Sequence, residues 1–526
     1  MRRYEILIFI TGAVTLSLEV LASRIMTPYF GVSLYIWSGI LSITLTFLAV
    51  GYHYGGRISR RLAGKSLEYA FLVAPIFSAA SMGISAAVYP IVFPVLSQAN
   101  LILGSFIGAS LLLSLPLIAL SAMNPLLICI QRDKRDKGDG GAGRIFFIST
   151  VGSVAGVVVT AFVFIPNVTN YRAILALGIA ICIVTAIFAG MSTVLSFLQK
   201  RKVYACSLII SILCGALLIG KNSYLKFLSE ISTGQLVFDV RAEYTSMFGN
   251  IKVADVRRRD GTGKIYRYFL QDGLIQNRTT LDNVSVSMYT YVLESLAHAF
   301  APDARDIVVL GLGAGIVPRH LKGDGLNVSV VEINPKALKA ATTHFGFDRS
   351  GIQFHLEDAR TFVRRCKDSF DVAVIDLFWG DSIPDYLLTK EFFRDLKRCV
   401  RSGGSIVMNA IFDSENTEPN NRLLATIATS FPRMFLSGIL GGNVFIVGAL
   451  GVAPKNIVAE SPNMPTEVAE LVNFTMSRFG LVSPTVYQYS RPVSDEQNIF
   501  GILLSDANMA MRKSLTGFLP PHILVN

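Results

Sequence analysis

The sequence predicts a multi-pass α-helical membrane domain followed by a Rossmann-like α/β domain that begins with a small antiparallel β-unit. Composition is the first observation: of 526 residues, 52% are hydrophobic and 16% are charged, and the mean hydropathy is +0.50. Such a chain is too apolar to be wholly soluble. The second observation is the alternation of short β-branched runs with helical patterns over residues 306–409, which is typical of βαβ units and a parallel sheet.

The first 220 residues contain seven apolar runs, most of which approach the ~20 residues that cross a bilayer. The first is interpreted as a retained span, because no small-residue cleavage site follows it. The sequence therefore predicts a transmembrane domain of about seven helices over residues 1–220, located in the cell membrane. The runs fall at residues 6–26, 36–55, 67–89, 101–130, 145–165, 171–197 and 203–220.

Basic residues alternate with nearly uncharged loops along this half of the chain. They cluster at residues 2–3, 57–65, 132–144 and 200–202. We attribute the net charge of +11 to cytoplasmic loops rather than to nucleic-acid binding, and we expect a cytoplasmic N-terminus. Seven spans would place everything after residue 221 outside the cell. Either a span is miscounted or the second half works outside, and the sequence leaves both possibilities open.

The remaining chain divides by pattern into four parts. Residues 221–236 are predicted to be a linker, and residues 237–284 a small β-unit with a hairpin at Gly261-Thr-Gly263. Residues 285–450 form the predicted α/β domain, which opens with a helix from about Ser285 to Phe300. The C-terminal extension, residues 451–526, has a mixed pattern that favours no single structure.

Glycines and acids follow the predicted strands at the positions that a nucleoside site requires. The first strand runs into Gly311, Gly313 and Gly315, where a ligand can approach the backbone at a helix N-terminus. Glu332 ends the second strand about 20 residues later, where an acid can hold ribose hydroxyls. The third strand ends at Glu357-Asp358, beside an adenine edge. Three consecutive strand ends of this kind predict a nucleoside site.

Cysteine and histidine give no indication of a metal site. Four of the six cysteines lie in or beside apolar runs, where free thiols pack as small hydrophobes. The other two, Cys366 and Cys399, lie in the second half. With neither a CxxC motif nor a Cys/His cluster in the sequence, we expect no bound metal.

Several motifs in the second half resemble those of spermidine synthase and other aminopropyltransferases. They are YFLQDGLIQN, VVLGLGAG, VVEIN, LEDAR and FDVAVID, and the resemblance covers roughly residues 240–450. The stretches EVLASRIMTPYFGVSLYIW and GYHYGGRISRR, with the loop DLFWGDSIPDYLLTKEF, are similar to the membrane-fused branch of that family. The resemblance implies a Rossmann-like fold of the class I methyltransferase type and a homodimer.

The resemblance also implies the ligands and the roles of individual residues. The co-substrate would be decarboxylated S-adenosylmethionine, or S-adenosylmethionine itself, with no permanently bound cofactor, and the partner a small-molecule amine such as putrescine. Asp376 would be the catalytic acid, because aminopropyl transfer needs a neutral amine and hence a carboxylate to accept its proton. Asp381, in the next loop, is predicted from the same chemistry as a second catalytic acid, with a solvated loop residue or helix cap as the alternative. The glycines Gly311, Gly313 and Gly315 would cradle the donor, Glu332 its ribose and Asp358 its adenine, while Gln276 and Tyr289 would line the acceptor pocket.

Two positions depart from the family pattern. Ala314 stands where the family usually carries an acid in the glycine loop, and Trp379 stands where it carries a second acid after Asp376. Both changes reduce negative charge around the reacting amines, so donor and acceptor identity stay open.

Two other functions compete with an aminopropyltransferase. The same sheet supports S-adenosylmethionine-dependent methyltransferases, and fold alone cannot separate the two reactions. The third possibility is a non-catalytic polyamine or nucleoside binding or transport protein, because a simple anchor needs only one span. The β-unit and Asp376 favour aminopropyl transfer, and Ala314 and Trp379 weaken it.

Overall fold

The computed structural model describes residues 2–526 except 32–33, 136–140, 232–233, 414–415, 439–442, 453, 455–456, 458, 460 and 462–463. Parts of four predicted features therefore lie outside the described residues: the basic cluster at 132–144, the linker, the α/β domain and the C-terminal extension. Contacts divide the chain into two compact units, Met1–Thr233 with Thr516–Asn526, and Gly234–Leu515.

The first unit is helical. Among the residues that the structure describes, seven helical stretches are long and apolar enough to cross a membrane, which agrees with the predicted number. Thr160–Phe164 is a π-helical turn that joins α5 to α6 within one of these stretches. The helices are α1 Arg2–Phe30, α2 Leu34–Arg61, α3 Gly64–Ala99, α4 Leu101–Arg135, α5 Ala142–Val159, α6 Ile165–Asn167, α7 Asn170–Gly190, α8 Phe197–Ile219 and α9 Lys221–Ile231.

Glycine allows α1 and α5 to pack closely. A Cβ at Gly152 would lie 2.1 Å from the carbonyl oxygen of Phe9, and one at Gly156 would lie 2.2 Å from that of Ala13. Gly12 returns the contact from α1, with 2.3 Å to the carbonyl oxygen of Ser149. Small residues at such spacing let helix backbones meet, which is how helices associate in a bilayer.

A helix, α9, occupies most of the predicted linker. Lys221, Leu225 and Ser229 recur every four residues and are buried, so they form one face of the helix. The predicted linker is therefore helical over these residues, with one face of the helix covered, and its role as a linker stays a prediction.

The second unit begins with the predicted β-unit, an antiparallel sheet in the order β1-β2-β3-β4. The predicted hairpin lies between β2 and β3, which pair from Ile251 with Gln271 to Val256 with Tyr266. The strands are β1 Leu236–Ser246, β2 Gly249–Arg258, β3 Tyr266–Gln271 and β4 Leu274–Thr280.

The larger sheet has the order β12-β10-β11-β9-β8-β5-β6-β7. Strands β5 to β9 pair with one another in parallel, whereas each pairing that involves β10, β11 or β12 is antiparallel. In chain order the elements are α10 Met288–Phe300, β5 Asp306–Leu310, α11 Ile316–Gly323, β6 Asn327–Glu332, α12 Pro335–His344, β7 Gln353–Leu356, α13 Ala359–Arg365, β8 Phe370–Ile375, α14 Lys390–Cys399, β9 Val400–Ile411, α15 Thr417–Ala428, β10 Arg433–Gly438, β11 Asn443–Ala449, α16 Thr466–Ser477, β12 Gly480–Leu481, α17 Phe500–Leu503 and α18 Ser505–Thr516.

Both faces of this sheet are covered. Along β5, Ile307 and Val309 lie in one apolar cluster, whereas Val308 and Leu310 lie in another. The near-continuous apolar run of the strand follows from this two-sided burial. The predicted Rossmann-like fold is confirmed. Because β5 is flanked by β6 on one side and β8 on the other, the strand order reverses there, and ligands bind at such a switch point.

The end of the chain returns to the first unit. Its last helix, α19, is Pro521–Leu524, and Ile523 and Leu524 are buried. The carbonyl oxygen of Asn526 accepts a hydrogen bond of 2.8 Å from the backbone N–H of Tyr171, at the start of α7. The C-terminus therefore lies at the end of the first unit where α7 begins.

Candidate active site

The glycine turn after β5 packs directly on the residue that follows β8. Gly311 has a φ of 96°, and a Cβ there would lie 2.1 Å from the carbonyl oxygen of Asp376. The Asp376 backbone N–H in turn donates to the Leu310 carbonyl oxygen over 2.9 Å. Gly313, with a φ of 53°, has open space where its Cβ would lie. The predicted donor loop and the predicted catalytic acid are therefore neighbours.

Gly315 and Ala314 turn the chain into α11. Gly315 has a φ of 76° and precedes the first residue of the helix. Ala314 is buried in an apolar cluster with Ile251 and Phe269 of the β-unit. A methyl group among apolar side chains therefore fills the position where the resemblance implies an acid.

Glu332 is fixed by backbone donors. Its Oε2 accepts from the N–H of Leu312 over 3.0 Å, and its Oε1 accepts from the N–H of Asn334 over 2.7 Å. Burial raises the pKa of this carboxyl above its usual range, against the lowering effect of these backbone hydrogen bonds. The structure thus brings Glu332 to the glycine turn, and its role toward a ribose remains a prediction.

Asp358 caps a helix. Its Oδ1 accepts from the N–H of Thr361 over 2.9 Å at the start of α13, and its Oδ2 accepts from the hydroxyl of Tyr386 over 2.7 Å. Burial and the hydrogen bond to Asp358 raise the pKa of Tyr386. Both oxygens thus already have partners, and a role toward adenine remains a prediction.

Asp376 directly follows β8 and is half-buried. Its Oδ1 accepts from Nδ2 of Asn409 over 2.9 Å, and Oδ1 of Asn409 accepts from Nδ2 of Asn443 over 2.7 Å. Burial raises the pKa of Asp376 to about 6, and the hydrogen bond from Asn409 lowers it. A carboxylate with this pKa suits proton transfer near neutral pH. The two asparagines, which sequence reasoning missed, fix its orientation from β9 and β11.

The two predicted acceptor residues contact different parts of this region. Tyr289 accepts through its hydroxyl from Nδ2 of Asn277 over 3.0 Å. Burial, together with the nearby charge of Asp376, raises the pKa of Tyr289 well above its ordinary value. Gln276 donates through Nε2 to the carbonyl oxygen of Gly380 over 2.9 Å. Tyr289 therefore lies near Asp376, and Gln276 binds the loop that follows Asp376.

Asp381, predicted as a second catalytic acid, forms a buried ion pair. Its Oδ2 accepts from Nε of Arg512 over 2.7 Å, and the exposed fractions of the two side chains are 4% and 0%. No sequence signal points to Arg512, which lies in the unassigned C-terminal extension. The structure therefore places Asp381 differently from Asp376, with its charge already compensated.

A disulfide joins the two cysteines of the second unit, which sequence reasoning also missed. Cys366 follows α13 and Cys399 ends α14, with their Cα atoms 4.8 Å apart. This separation lies within the range of disulfides. Among the residues that the structure describes, no group of three or more His, Cys, Asp or Glu side chains could hold a metal ion.

Comparison with known proteins finds similarities within the second half of the chain. Residues 287–436 match the spermine/spermidine synthase domain. The resemblance seen in the motifs is therefore confirmed for this part of the chain. A polyamine aminopropyltransferase of Vibrio vulnificus is 29% identical over 172 residues, which are 27% of this chain and 58% of that protein. The chain spans about half the length of the first curated relatives that it matches.

Two further similarities extend the comparison. An N-terminal histidine N-methyltransferase of Emericella nidulans is 34% identical over 107 residues, 19% of each chain. The crystal structure of a probable spermidine synthase from Corynebacterium glutamicum is 18% identical, with a TM-score of 0.40, and covers 48% of this chain and 96% of that one.

Proposed function

We propose that the protein is a membrane-bound polyamine aminopropyltransferase, which transfers an aminopropyl group from decarboxylated S-adenosylmethionine to an amine acceptor such as putrescine. The observation that carries this proposal is Asp376: a half-buried carboxylate with a pKa raised to about 6, at the switch point and against the glycine turn. The match to the spermine/spermidine synthase domain supports the reaction type.

The chemistry assigns one task to each group. The acceptor nitrogen attacks the carbon beside the sulfonium, the carbon–sulfur bond breaks, and its electron pair returns to sulfur as a thioether. The proton lost by the nitrogen passes to Asp376, and the rest of catalysis is alignment of the two substrates. In this proposal Gly311, Gly313 and Gly315 approach the donor, with Glu332 at its ribose and Asp358 at its adenine. Tyr289 and Gln276 border the acceptor.

A methyltransferase on the same sheet is the second candidate. Ala314 favours it, because its buried methyl group offers no carboxylate to the ammonium of an aminopropyl donor. The partial similarity to a histidine N-methyltransferase favours it as well. Asp376 and the β-unit support aminopropyl transfer, which we therefore prefer.

We further propose that the catalytic unit lies on the extracytoplasmic side of the cell membrane. In the first unit, Arg144 of α5 pairs with Glu5 of α1 over 2.9 Å, and Lys200 of α8 donates to the Gly190 carbonyl oxygen of α7 over 3.2 Å. Arg3 of α1 donates to the carbonyl oxygen of Met191, directly after α7, so these basic residues meet at one end of the helices. The positive-inside rule assigns that end to the cytoplasm. The disulfide of the second unit supports a location on the opposite side, outside the cytoplasm, since disulfides persist in oxidising compartments.

The reaction is tested with purified full-length protein in detergent. One tube contains decarboxylated S-adenosylmethionine and putrescine, the other S-adenosylmethionine and cell extract, and mass spectrometry follows the products. We expect spermidine in the first tube and its loss with Asp376→Asn. A product heavier by one methyl group in the second tube, without spermidine in the first, would instead identify a methyltransferase.

A further inference from the structure

Arg512 bridges the two chain segments that border the candidate acceptor pocket. Besides the ion pair of its Nε with Asp381, its Nη1 donates to the carbonyl oxygen of Asp272 over 3.2 Å. Asp272 lies in the turn between β3 and β4, two strands of the β-unit. One side chain of α18 therefore joins this turn to the loop after Asp376.

The same loop lies against Gln276 of β4. The carbonyl oxygen of Gly380 accepts from Gln276, and a Cβ at Gly380 would lie 3.3 Å from Nη2 of Arg512. The guanidinium is therefore packed against the loop backbone at Gly380, the residue whose carbonyl oxygen binds Gln276.

The negative charges of Asp376 and Asp381 differ in how far a ligand can use them. Asp381 is neutralised by a fully buried guanidinium. Asp376 instead accepts from the neutral amide of Asn409, so its negative charge remains available to a ligand. A carboxylate binds an ammonium strongly when no other cation already compensates it. Ala314 and Trp379 supply no further carboxylate.

We propose that Arg512 is a specificity-determining residue. By compensating Asp381, it leaves the site able to recognise the reacting amine but not a second ammonium on the same acceptor. A monoamine therefore serves as well as a diamine. This inference rests on the proposed function, because it names the acceptor class for the same site.

The test compares putrescine with butylamine, which differ in one terminal ammonium. Calorimetry gives the ratio of their Kd values with purified protein, and turnover with the aminopropyl donor gives the ratio of kcat/KM. In the unsubstituted protein we expect both ratios to lie within about threefold of one, since a free-energy difference of ~1.4 kcal/mol would be needed for tenfold. Arg512→Met frees Asp381 for the second ammonium and should favour putrescine by about tenfold or more.

Three further variants separate charge from folding. Arg512→Lys retains the cation and should keep the ratio near one. The double variant Asp381→Asn with Arg512→Met removes both charges, so it avoids the uncompensated buried carboxylate that threatens the folding of the single variant, and it should also give a ratio near one. Lys513→Met removes a positive charge from the exposed face of the same helix and should leave the ratio unchanged.

The outcomes distinguish this inference from the proposed function. If neither amine is turned over, the proposed function fails, while the calorimetric ratio still decides the role of Arg512. Unsubstituted protein that prefers putrescine by about 100-fold would overturn the inference, since a compensated Asp381 cannot supply the ~2.7 kcal/mol involved. An unchanged ratio in folded Arg512→Met, or failure of that variant to bind putrescine, would overturn it as well.

Discussion

Asp376 acquires its chemistry from its surroundings rather than from its residue type. Burial raises its pKa to about 6, and the hydrogen bond from Asn409 opposes that rise by stabilising the ionised form. The acid can accept a proton only when it is ionised. Activity should therefore be low below pH 6 and should increase as the pH rises through that value.

The pH profile of kcat/KM tests this role. We expect a limb near pH 6 that Asp376→Asn lacks, with activity reduced by about 10²–10⁴-fold as for loss of a general base. Asn409→Ala should move the limb to higher pH, because it removes the hydrogen bond that lowers the pKa. A limb that persists in Asp376→Asn would assign it to another group, such as the substrate amine.

At this scale the sequence predicts strand-end residues well and long-range partners poorly. Gly311, Glu332 and Asp376 were predictable because each directly follows a β-branched run, and the carboxyl ends of parallel strands share one edge. The pairing of Asp381 with Arg512 was not, because 131 residues separate them and a single arginine in a mixed tail has no pattern. For the same reason, the pairing of Cys366 with Cys399 has no local signal.

The packing of α1 on α5 depends on the absence of side chains at their contact. Gly152→Leu would place its Cβ 2.1 Å from the carbonyl oxygen of Phe9, so the two helices would have to separate. We expect a cost of about 1–3 kcal/mol, typical of overpacking, and a lower midpoint of thermal unfolding in detergent.

Gly143 of the same helix offers a matched control. A Cβ there would have no heavy atom within 4 Å, so Gly143→Leu should leave the midpoint nearly unchanged. Equal midpoints for the two variants would show that the close approach of the helices contributes little to stability.

At the scale of elements, hydropathy explains why the long apolar helices were predicted and why α9 was not. The long apolar helices were predictable because apolar runs near ~20 residues have few alternative structures. Helix α9 was missed because it is short and only one of its faces is buried. Its burial depends on tertiary contacts, one of which is made by α19: Oγ of Ser229 lies 2.6 Å from Nδ1 of His522.

The proposed membrane topology rests on the number of candidate spans among the described residues and on the positions of the basic residues near their ends. Because seven helices is an odd number, the residues after α8 lie on the opposite side from the N-terminus if every helix spans the membrane. The position of Asn526 agrees with this, because it contacts the start of α7. Lys200 contacts Gly190, which lies at the other end of that helix. The adenosyl donor, which is made in the cytoplasm, would then have to reach a site on the outer side.

Cysteine labelling in intact cells tests this arrangement. Asp282→Cys adds a thiol at an exposed position of the catalytic unit, and Arg60→Cys adds one at an exposed position in a basic cluster. A membrane-impermeant maleimide should label the first variant in intact cells and the second only after permeabilisation. Cys366 and Cys399 should resist alkylation until reduced, as disulfide sulfurs outside the cytoplasm do. The reverse labelling pattern, with both native cysteines alkylated without reduction, would place the catalytic unit in the cytoplasm and require an even number of spans before it.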